Sequence, residues 1–210
     1  MKISLPPLYA ILSSEAFAGS LEDWSRRLAE CGVELIQYRD KHSSSAKLLE
    51  SARHLVSLSR AHPFRVIIND RADIAALSGA AGVHVGQEDL PLESARQVCG
   101  PDACIGISTH NLEQFRAAIA TSADYIAVGP IFPTSTKQKP DPVVGLEFIL
   151  QVRPLTSKSI VAIGGITAER AAEVYAAGAD SIAVASDLAT APDLADRVAT
   201  YLRAAQSRSR

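Results

Sequence analysis

Two neighbouring apolar stretches of the sequence each lead into acidic side chains. Asn69 and Asp70 follow the run Arg65–Ile68, and Asp89 comes four residues after the run Gly82–Val85. Neither run alternates regularly with polar residues, which is typical of a strand buried on both faces. A short helical pattern joins them, so the strands are parallel and their carboxyl ends share one edge. Two carboxylates there predict a Mg²⁺ site for a phosphorylated substrate, whereas such residues after one strand alone would be typical of a helix cap.

Basic side chains follow an earlier strand. Arg39 and Lys41 alternate on one extended segment, so they project to the same side, and Lys137 adds a third cation from a later loop. Arginine offers a planar fork to phosphate oxygens, and lysine offers a point charge. Combined with carboxylates that hold Mg²⁺, these cations favour a diphosphate over a single phosphate. A solvated surface pair is the alternative, and the buried pattern of Gln37–Tyr38 directly before Arg39 weakens it.

A second anion site is indicated by the residues that follow two later strands. Gly164–Gly165 follow the run Ile160–Ile163, and Ala185–Ser186 follow the run Ser181–Val184. Glycine lets the backbone approach an anion closely, although a tight turn alone would also explain the glycine pair. Backbone amides in such loops are frequent phosphate ligands. Two anion sites at one edge predict an enzyme that joins two phosphorylated substrates and releases diphosphate.

The elements that must position these residues are eight short apolar runs separated by helical patterns. The runs are Leu8–Leu12, Val33–Tyr38, Arg65–Ile68, Gly82–Val85, Cys104–Ile107, Tyr125–Val128, Ile160–Ile163 and Ser181–Val184. Eight strand–helix units predict a (β/α)₈ TIM barrel, one domain over residues 1–210 with a frayed tail from about 206 to 210. Active sites of this fold lie at the carboxyl ends of the strands, where the polar residues above stand. An open doubly wound sheet is the alternative, but no glycine-rich loop follows the first strand.

Composition narrows the function classes. The chain has 210 residues, 47% hydrophobic content and a net charge of −2, which give no support to nucleic-acid or membrane-surface binding. No apolar run has the length of a membrane span, and residues 1–7 lack the long apolar core expected of a signal peptide. The three cysteines, Cys31, Cys99 and Cys104, have no metal-like spacing and predict reduced thiols in the cytoplasm. We expect small-molecule partners, and the sequence leaves homo-oligomer formation open.

The motifs that carry this chemistry occur together in a characteristic order. They are Gln37-x-Arg39-x-Lys41, Ile68-Asn69-Asp70-Arg71, Gly82-Val83-His84-Val85-Gly86-Gln87-x-Asp89, Gly106-x-Ser108, Gly129-Pro130-x-Phe132-x-Thr134-x-Thr136-Lys137 and Ile163-Gly164-Gly165-Ile166. In this order they resemble the thiamine phosphate synthase (thiamine-phosphate diphosphorylase) family. The resemblance extends from Leu8 to about Leu188 and implies a TIM barrel.

The resemblance also implies a reaction and a set of roles. The family joins hydroxymethylpyrimidine diphosphate to hydroxyethylthiazole phosphate, giving thiamine phosphate and diphosphate by a dissociative substitution. By analogy, Asp70 and Asp89 hold Mg²⁺ on the leaving diphosphate, and the catalytic side chains are Arg39, Lys41, Ser108 and Lys137. The pyrimidine diphosphate site comprises Gln37, Tyr38, Arg39, Asp40, Lys41, Asn69, Ser108 and Lys137. The thiazole phosphate site comprises Thr134, Ser135, Thr136, Gly165, Ala185 and Ser186.

Three positions fit the family pattern loosely. Tyr38 replaces a more usual aliphatic residue, and we expect its side chain to point away from those of Gln37 and Arg39. Ala185 replaces a larger residue and would contribute through its backbone. Asp187 puts a carboxylate near the expected phosphate, and the sequence leaves open whether it points away or weakens that site.

Three other functions compete with this interpretation. A thiazole tautomerase on the same fold would not need the acidic and basic set of strands two to four. His110 could serve it as a base, although we expect His110 to cap a helix or face solvent and His84 to be an interior histidine. A non-catalytic barrel that binds thiamine precursors would not need to stabilise a leaving group. A different phosphosugar enzyme would keep only the glycine site.

Overall fold

The computed structural model describes residues 5–17, 19–134 and 141–207. Its eight strands, β1 to β8, are Leu8–Ser13, Leu35–Arg39, Arg65–Asn69, Gly82–Val85, Cys104–Thr109, Tyr125–Val128, Ser159–Ile163 and Ser181–Val184. Each strand pairs in parallel with its neighbours in sequence, and β1 pairs with β8, so the sheet closes into a barrel. The predicted single-domain TIM barrel is confirmed, and the open sheet is excluded.

Helices follow the strands and cover the outside of the barrel. Helices α1 to α9 are Leu21–Glu30, Ser45–Leu58, Ala72–Ser78, Leu92–Cys99, Leu112–Ile119, Gly145–Val152, Ala171–Ala176, Ser186–Ala189 and Leu194–Gln206, with 3₁₀ turns at Arg153–Leu155 and Ala168–Arg170. Helix α8 is too short for apolar periodicity to predict it. Helix α9 continues through Gln206, and residues 208–210 of the expected frayed tail lie outside the described residues. Across the described ranges, no helix is long and apolar enough to cross a membrane.

Two apolar layers hold the barrel together. One layer packs the outward faces of the strands against the helices and includes Tyr38 and Phe115. The other fills the barrel interior, where Tyr9 and Tyr125 are the largest buried side chains. Gly106 makes room for this interior layer, because a Cβ atom at that position would lie 1.9 Å from the Tyr125 ring. The sequence element Gly106-x-Ser108 therefore reflects packing as well as chemistry.

Two matched ion pairs fix the amino ends of strands. Asp124, directly before β6, accepts hydrogen bonds from Arg96 Nη2 at 2.6 Å and from the Ile105 backbone N–H at 2.9 Å. Asp180, directly before β8, does the same with Arg153 Nη1 at 2.6 Å and the N–H of β7 residue Ile160 at 2.9 Å. Each aspartate ties two neighbouring strands to one helix-side arginine at the barrel end opposite the polar loops.

Removing the charge of Asp124 or Asp180 should reduce the stability of the protein without changing the structure at the carboxyl ends of the strands. Asp124→Asn keeps the size of the side chain but removes the charge that Arg96 faces, and both side chains are largely buried. We expect the free energy of unfolding to fall by about 1.5–3 kcal/mol, the range for hydrogen bonds to charged groups. Urea unfolding of the two proteins measures the difference. Equal stabilities would show that solvent compensates for the pair.

Candidate active site

The carboxyl ends of the strands surround a cavity of about 140 Å³. Eight predicted site residues line it: Gln37, Arg39, Asn69, Ser108, Thr134, Gly165, Ala185 and Ser186. Five polar residues that the sequence did not single out as ligands also line it: Tyr9, Ser13, His84, His110 and Asp141. Predicted residues of strands two, three, five, seven and eight are therefore brought together, as expected for this fold.

Asp70 and Asp89 meet beyond the carboxyl ends of β3 and β4, beside Asn69, but neither of them nor Lys41 is among the residues that line the cavity. Asp89 Oδ2 accepts the Gly86 N–H at 2.7 Å, and the Asp89 side chain also contacts that of Asp70. Burial raises the pKa of Asp89 above its usual value, and the charge of Asp70 raises it further. Lys41 Nζ lies 3.1 Å from Asp70 Oδ2 and offsets part of the negative charge. The sequence prediction that the two acidic residues lie together agrees with this geometry.

The backbone at Asp70 is held in an unusual conformation. Its φ of 62° is the only positive value for a non-glycine residue in the described ranges. The conformation is fixed by a hydrogen bond of 2.8 Å from the Asp70 N–H to the His84 carbonyl oxygen on the next strand. Such strain costs on the order of 1–3 kcal/mol and is concentrated at functional sites. It directs the Asp70 carboxylate toward Asp89 rather than into a helix cap.

The donor set fits a divalent cation that also binds substrate. Within the parts of the chain that the structure describes, no group of three or more histidine, cysteine or acidic side chains is placed to hold a metal. Mg²⁺ does not require such a cage, because it binds through one or two carboxylates, substrate phosphates and water. Two facing carboxylates, one with a raised pKa, are a donor set that a cation would stabilise. Asp70 and Asp89 therefore fit a substrate-assisted Mg²⁺ site.

Arg39 is held at the cavity wall by the loop after β1. Its Nη1 donates to Glu15 Oε2 at 2.8 Å and to Ser13 Oγ at 3.3 Å. His42 Nε2 lies 2.9 Å from the other oxygen of Glu15. The hydrogen bond from Arg39, with that from His42, lowers the pKa of Glu15. Sequence reasoning missed Glu15, because a single acidic residue in a loop carries no pattern.

A chain of hydrogen bonds crosses the barrel interior beneath the cavity. Gln37 Nε2 donates to Tyr9 Oη at 2.8 Å, and Tyr9 Oη lies 3.1 Å from Tyr125 Oη. Tyr125 Oη lies 2.9 Å from His84 Nδ1, and His84 Nε2 lies 2.8 Å from Ser108 Oγ. Burial raises the pKa of both tyrosines, so both phenols stay neutral at physiological pH. The chain links two predicted substrate ligands, Gln37 and Ser108, and fixes both side chains.

His84 and His110 differ in how well the sequence predicted them. His84 is an interior histidine, as expected, with a polar partner on each ring nitrogen. His110 lines the cavity instead of facing solvent: its Nδ1 lies 2.6 Å from the Gly129 carbonyl oxygen, and its Nε2 lies 3.5 Å from Asp141 Oδ2. The expectation for His110 was wrong because the loop after β6 folds over its ring, a contact that local sequence does not encode.

Some predicted ligands lie elsewhere. Tyr38 packs in the outer layer, as its position on the strand predicted, and its hydroxyl lies 3.3 Å from Asp40 Oδ2. Asp40 caps the turn after β2 by accepting the N–H groups of His42 and Ser43 at 3.0 Å each. The structure does not bring the Tyr38 and Asp40 side chains to the cavity. Three further predicted site residues lie outside the described residues: Ser135, Thr136 and Lys137.

The glycine pair after β7 is required by close packing. Gly164 and Gly165 have φ values of 98° and 63°, and a Cβ atom on Gly165 would lie 2.4 Å from the Pro133 carbonyl oxygen. The Phe132 N–H donates to the Gly164 carbonyl oxygen at 3.0 Å, which joins this turn to the loop after β6. Gly165 lines the cavity, as does Ser186 of α8.

Asp187 points away from the cavity. Its Oδ2 accepts hydrogen bonds from the Tyr201 hydroxyl at 2.9 Å and from the Ala168 N–H at 3.2 Å. Arg197 Nη1 lies 3.2 Å from its Oδ1. The uncertainty that the sequence left about this carboxylate is resolved, since its charge is paired on the outside of the barrel.

Comparisons with known proteins agree on one family. A model of the thiamine monophosphate synthase family matches residues 8–188. The chain is 48% identical over 197 residues to a thiamine-phosphate synthase of Koribacter versatilis strain Ellin345, covering 90% of this chain and 92% of the relative. It is 42% identical over 188 residues to one of Shouchella clausii strain KSM-K16, covering 89% and 90%. A solved thiamine phosphate pyrophosphorylase from Pyrococcus furiosus superposes with a TM-score of 0.84 at 30% identity, covering 96% of both chains.

The fold and the relatives define a TIM-barrel enzyme. The chain belongs to the thiamine monophosphate synthase family, because the family model covers most of its length and close relatives match nearly end to end. The family resemblance drawn from the sequence motifs is confirmed.

The facing carboxylates should make Asp89 a destabilising residue in metal-free protein. When folding raises the pKa of a carboxyl group, the folded protein becomes less stable as the pH rises through the folded-state pKa of that group. Asp89→Asn should therefore unfold at a higher temperature than the wild type at pH 7 in EDTA. The difference should vanish only well below the ordinary aspartate pKa of about 3.9, where Asp89 is protonated in both states. A variant less stable than the wild type at pH 7 would contradict the proposed repulsion.

Proposed function

We propose that this protein is a thiamine-phosphate synthase, a transferase that joins hydroxymethylpyrimidine diphosphate to hydroxyethylthiazole phosphate. The observation that carries the proposal is the presence of two different sets of groups at the mouth of the barrel, the end where the carboxyl ends of the strands lie. Asp70, Asp89 and Lys41 lie together after β2 to β4, and Gly165 and Ser186, after β7 and β8, line the cavity. A single phosphorylated substrate would not need both.

The acidic and basic side would bind the diphosphate. Asp70 and Asp89 would hold Mg²⁺, which supplies positive charge to the leaving diphosphate oxygens. Lys41 and Arg39 add positive charge, and each is held by an ion pair, Lys41 with Asp70 and Arg39 with Glu15. Lys137, outside the described residues, belongs to this proposal as a third cation. These groups stabilise charge that grows as the diphosphate leaves.

The barrel interior would hold the pyrimidine. The hydrogen-bonded chain beneath the cavity fixes the orientation of Gln37 and Ser108 before substrate arrives, so little ordering is needed on binding. Asn69 also lines this part of the cavity. Tyr9 and Tyr125 are neutral, so they add hydrogen-bonding groups without adding negative charge near the diphosphate.

The chemistry requires no nucleophilic side chain. The bond between the pyrimidine methylene carbon and the diphosphate oxygen breaks, and its electron pair leaves with the diphosphate. The thiazole nitrogen then donates its lone pair to the resulting resonance-stabilised cation and forms the new carbon–nitrogen bond. The side chains contribute electrostatic stabilisation and the alignment of two bound substrates.

The three cysteines, Cys31, Cys99 and Cys104, are free thiols, which is consistent with this chemistry and with the cytoplasmic location that we propose.

The other side of the mouth would hold the thiazole phosphate. Thr134, Gly165, Ala185 and Ser186 line this part of the cavity. Ser135 and Thr136, outside the described residues, complete the proposed set. Backbone amides in the loops after strands seven and eight are frequent phosphate ligands in this fold.

The tautomerase, the non-catalytic binder and a phosphosugar enzyme have no use for the facing carboxylates, so the synthase is favoured. Homo-oligomer formation remains part of the proposal to be tested.

A coupling assay tests the proposed function directly. The purified protein is mixed with both substrates and Mg²⁺, and thiamine phosphate and diphosphate are followed by chromatography. We expect both products to appear together and to disappear with EDTA. Asp89→Ala should reduce turnover about 100-fold and weaken its dependence on Mg²⁺. Binding of both substrates without product would instead favour the non-catalytic or tautomerase function.

Substitutions at Ser186 test which substrate binds at which side. Ser186→Asp places a negative charge beside the proposed thiazole phosphate, and we expect KM for that substrate to rise roughly tenfold. KM for the pyrimidine diphosphate should change much less. Ser186→Ala is the matched control, since it removes the hydroxyl without adding charge. A larger effect on the diphosphate would mean that the two sites have been exchanged.

A further inference from the structure

A buried cluster on the outer side of the barrel joins the two loops assigned to thiazole phosphate. The cluster consists of Asp187 on α8 together with Tyr201 and Arg197 on α9. None of its three side chains lines the cavity. Tyr201 is fully buried, and Asp187 is largely buried. The cluster therefore has no direct route to substrate, and its position must explain what it does.

The cluster contacts both loops at the backbone. The Tyr201 hydroxyl lies 3.1 Å from the Ile166 carbonyl oxygen, directly after the glycine pair, and 2.9 Å from Asp187 Oδ2. The same carboxylate oxygen accepts the Ala168 N–H at 3.2 Å. Asp187 itself is the residue after Ser186. A single carboxylate and a single hydroxyl thus fix the spacing between the loop after β7 and the start of α8.

The opposite side of the loop after β7 is also fixed. The Ile131 N–H donates to the Ile163 carbonyl oxygen at 2.9 Å, and the Phe132 N–H donates to the Gly164 carbonyl oxygen at 3.0 Å. The guanidinium of Arg170 stacks on the Phe132 ring at 4.3 Å. The glycine turn is consequently held between the loop after β6 and the cluster on α9. The cluster joins it to α8.

We propose that Tyr201 and Asp187 are positioning residues for the thiazole-phosphate side of the mouth, holding the Gly165 and Ser186 backbones at the separation that one phosphate group requires. This inference rests on the proposed function. Its physical basis is preorganisation: amides already placed for an anion lose little freedom when it binds. Arg197 pairs with the Asp187 carboxylate, so the negative charge of Asp187 is balanced by a neighbouring positive charge.

Tyr201→Phe is the primary test. It removes the hydroxyl while keeping the ring that fills the buried space. We expect KM for thiazole phosphate to rise roughly three- to tenfold, the range for the net contribution of one typical hydrogen bond. KM for the pyrimidine diphosphate and kcat at saturation should change less than twofold. A lowered fraction of folded enzyme would reduce the apparent kcat and leave both KM values unchanged. The comparison of KM with kcat therefore separates a positioning effect from a loss of stability.

Asp187→Asn distinguishes a positioning role of Asp187 from a direct effect of its negative charge on the phosphate. If Asp187 positions the loops, the variant should also raise KM for thiazole phosphate, and combining it with Tyr201→Phe should give less than the sum of the two effects, because both variants weaken the hydrogen bond between Tyr201 and Asp187. If Asp187 acted only as a negative charge near the phosphate, its removal would lower that KM. A lowered KM, or equal changes for both substrates, would overturn the proposal.

Asp180→Asn is the matched control. Asp180 also pairs with an arginine and accepts a backbone N–H, but it does so at the amino ends of the strands. It should lower the unfolding temperature and leave both KM values unchanged. Wild-type enzyme without coupling activity would refute the proposed function itself. Active wild-type enzyme with an unchanged KM in Tyr201→Phe would refute only the positioning role.

Discussion

The pairing of β1 with β8 is the constraint on which the rest of the structure depends. It closes the barrel through the register Leu8 with Ile182 and Ala10 with Val184. Because all eight strands run parallel, closure brings every carboxyl end to one rim. The acidic and basic groups after β2 to β4 therefore lie at the same end of the barrel as the glycine loops after β7 and β8. An open sheet of the same strands would leave these groups at separate positions along its edge.

Closure also creates an interior that must be filled and hydrogen-bonded. The barrel interior holds two tyrosines, a histidine, a glutamine and a serine that are connected in one chain. Buried polar groups are costly when unpaired and rigid when fully paired. The chain thus gives the cavity floor fixed hydrogen-bonding directions. Gly106 is part of the same arrangement, since its missing side chain is the space that the Tyr125 ring occupies.

The two ends of the barrel follow different physical rules. At the amino ends, Asp124 and Asp180 each satisfy an arginine and a backbone N–H, and they join strands without strain. At the carboxyl ends, Asp70 has a positive φ and faces a second carboxylate whose pKa is raised. Unfavourable features at the mouth are tolerated because the closed barrel and its other end hold the backbone in place, and a bound cation would relieve them.

The sequence by itself determined the eight strands, the barrel, the family and most of the polar residues at the mouth. That information is local, because a short apolar run followed by polar residues specifies both a buried strand and what stands at its end. The tertiary structure alone decided that Glu15 holds Arg39, that His110 faces the cavity and that Asp187 points outward. Those contacts join residues on different elements, and the direction of each side chain is set by packing that no local pattern encodes.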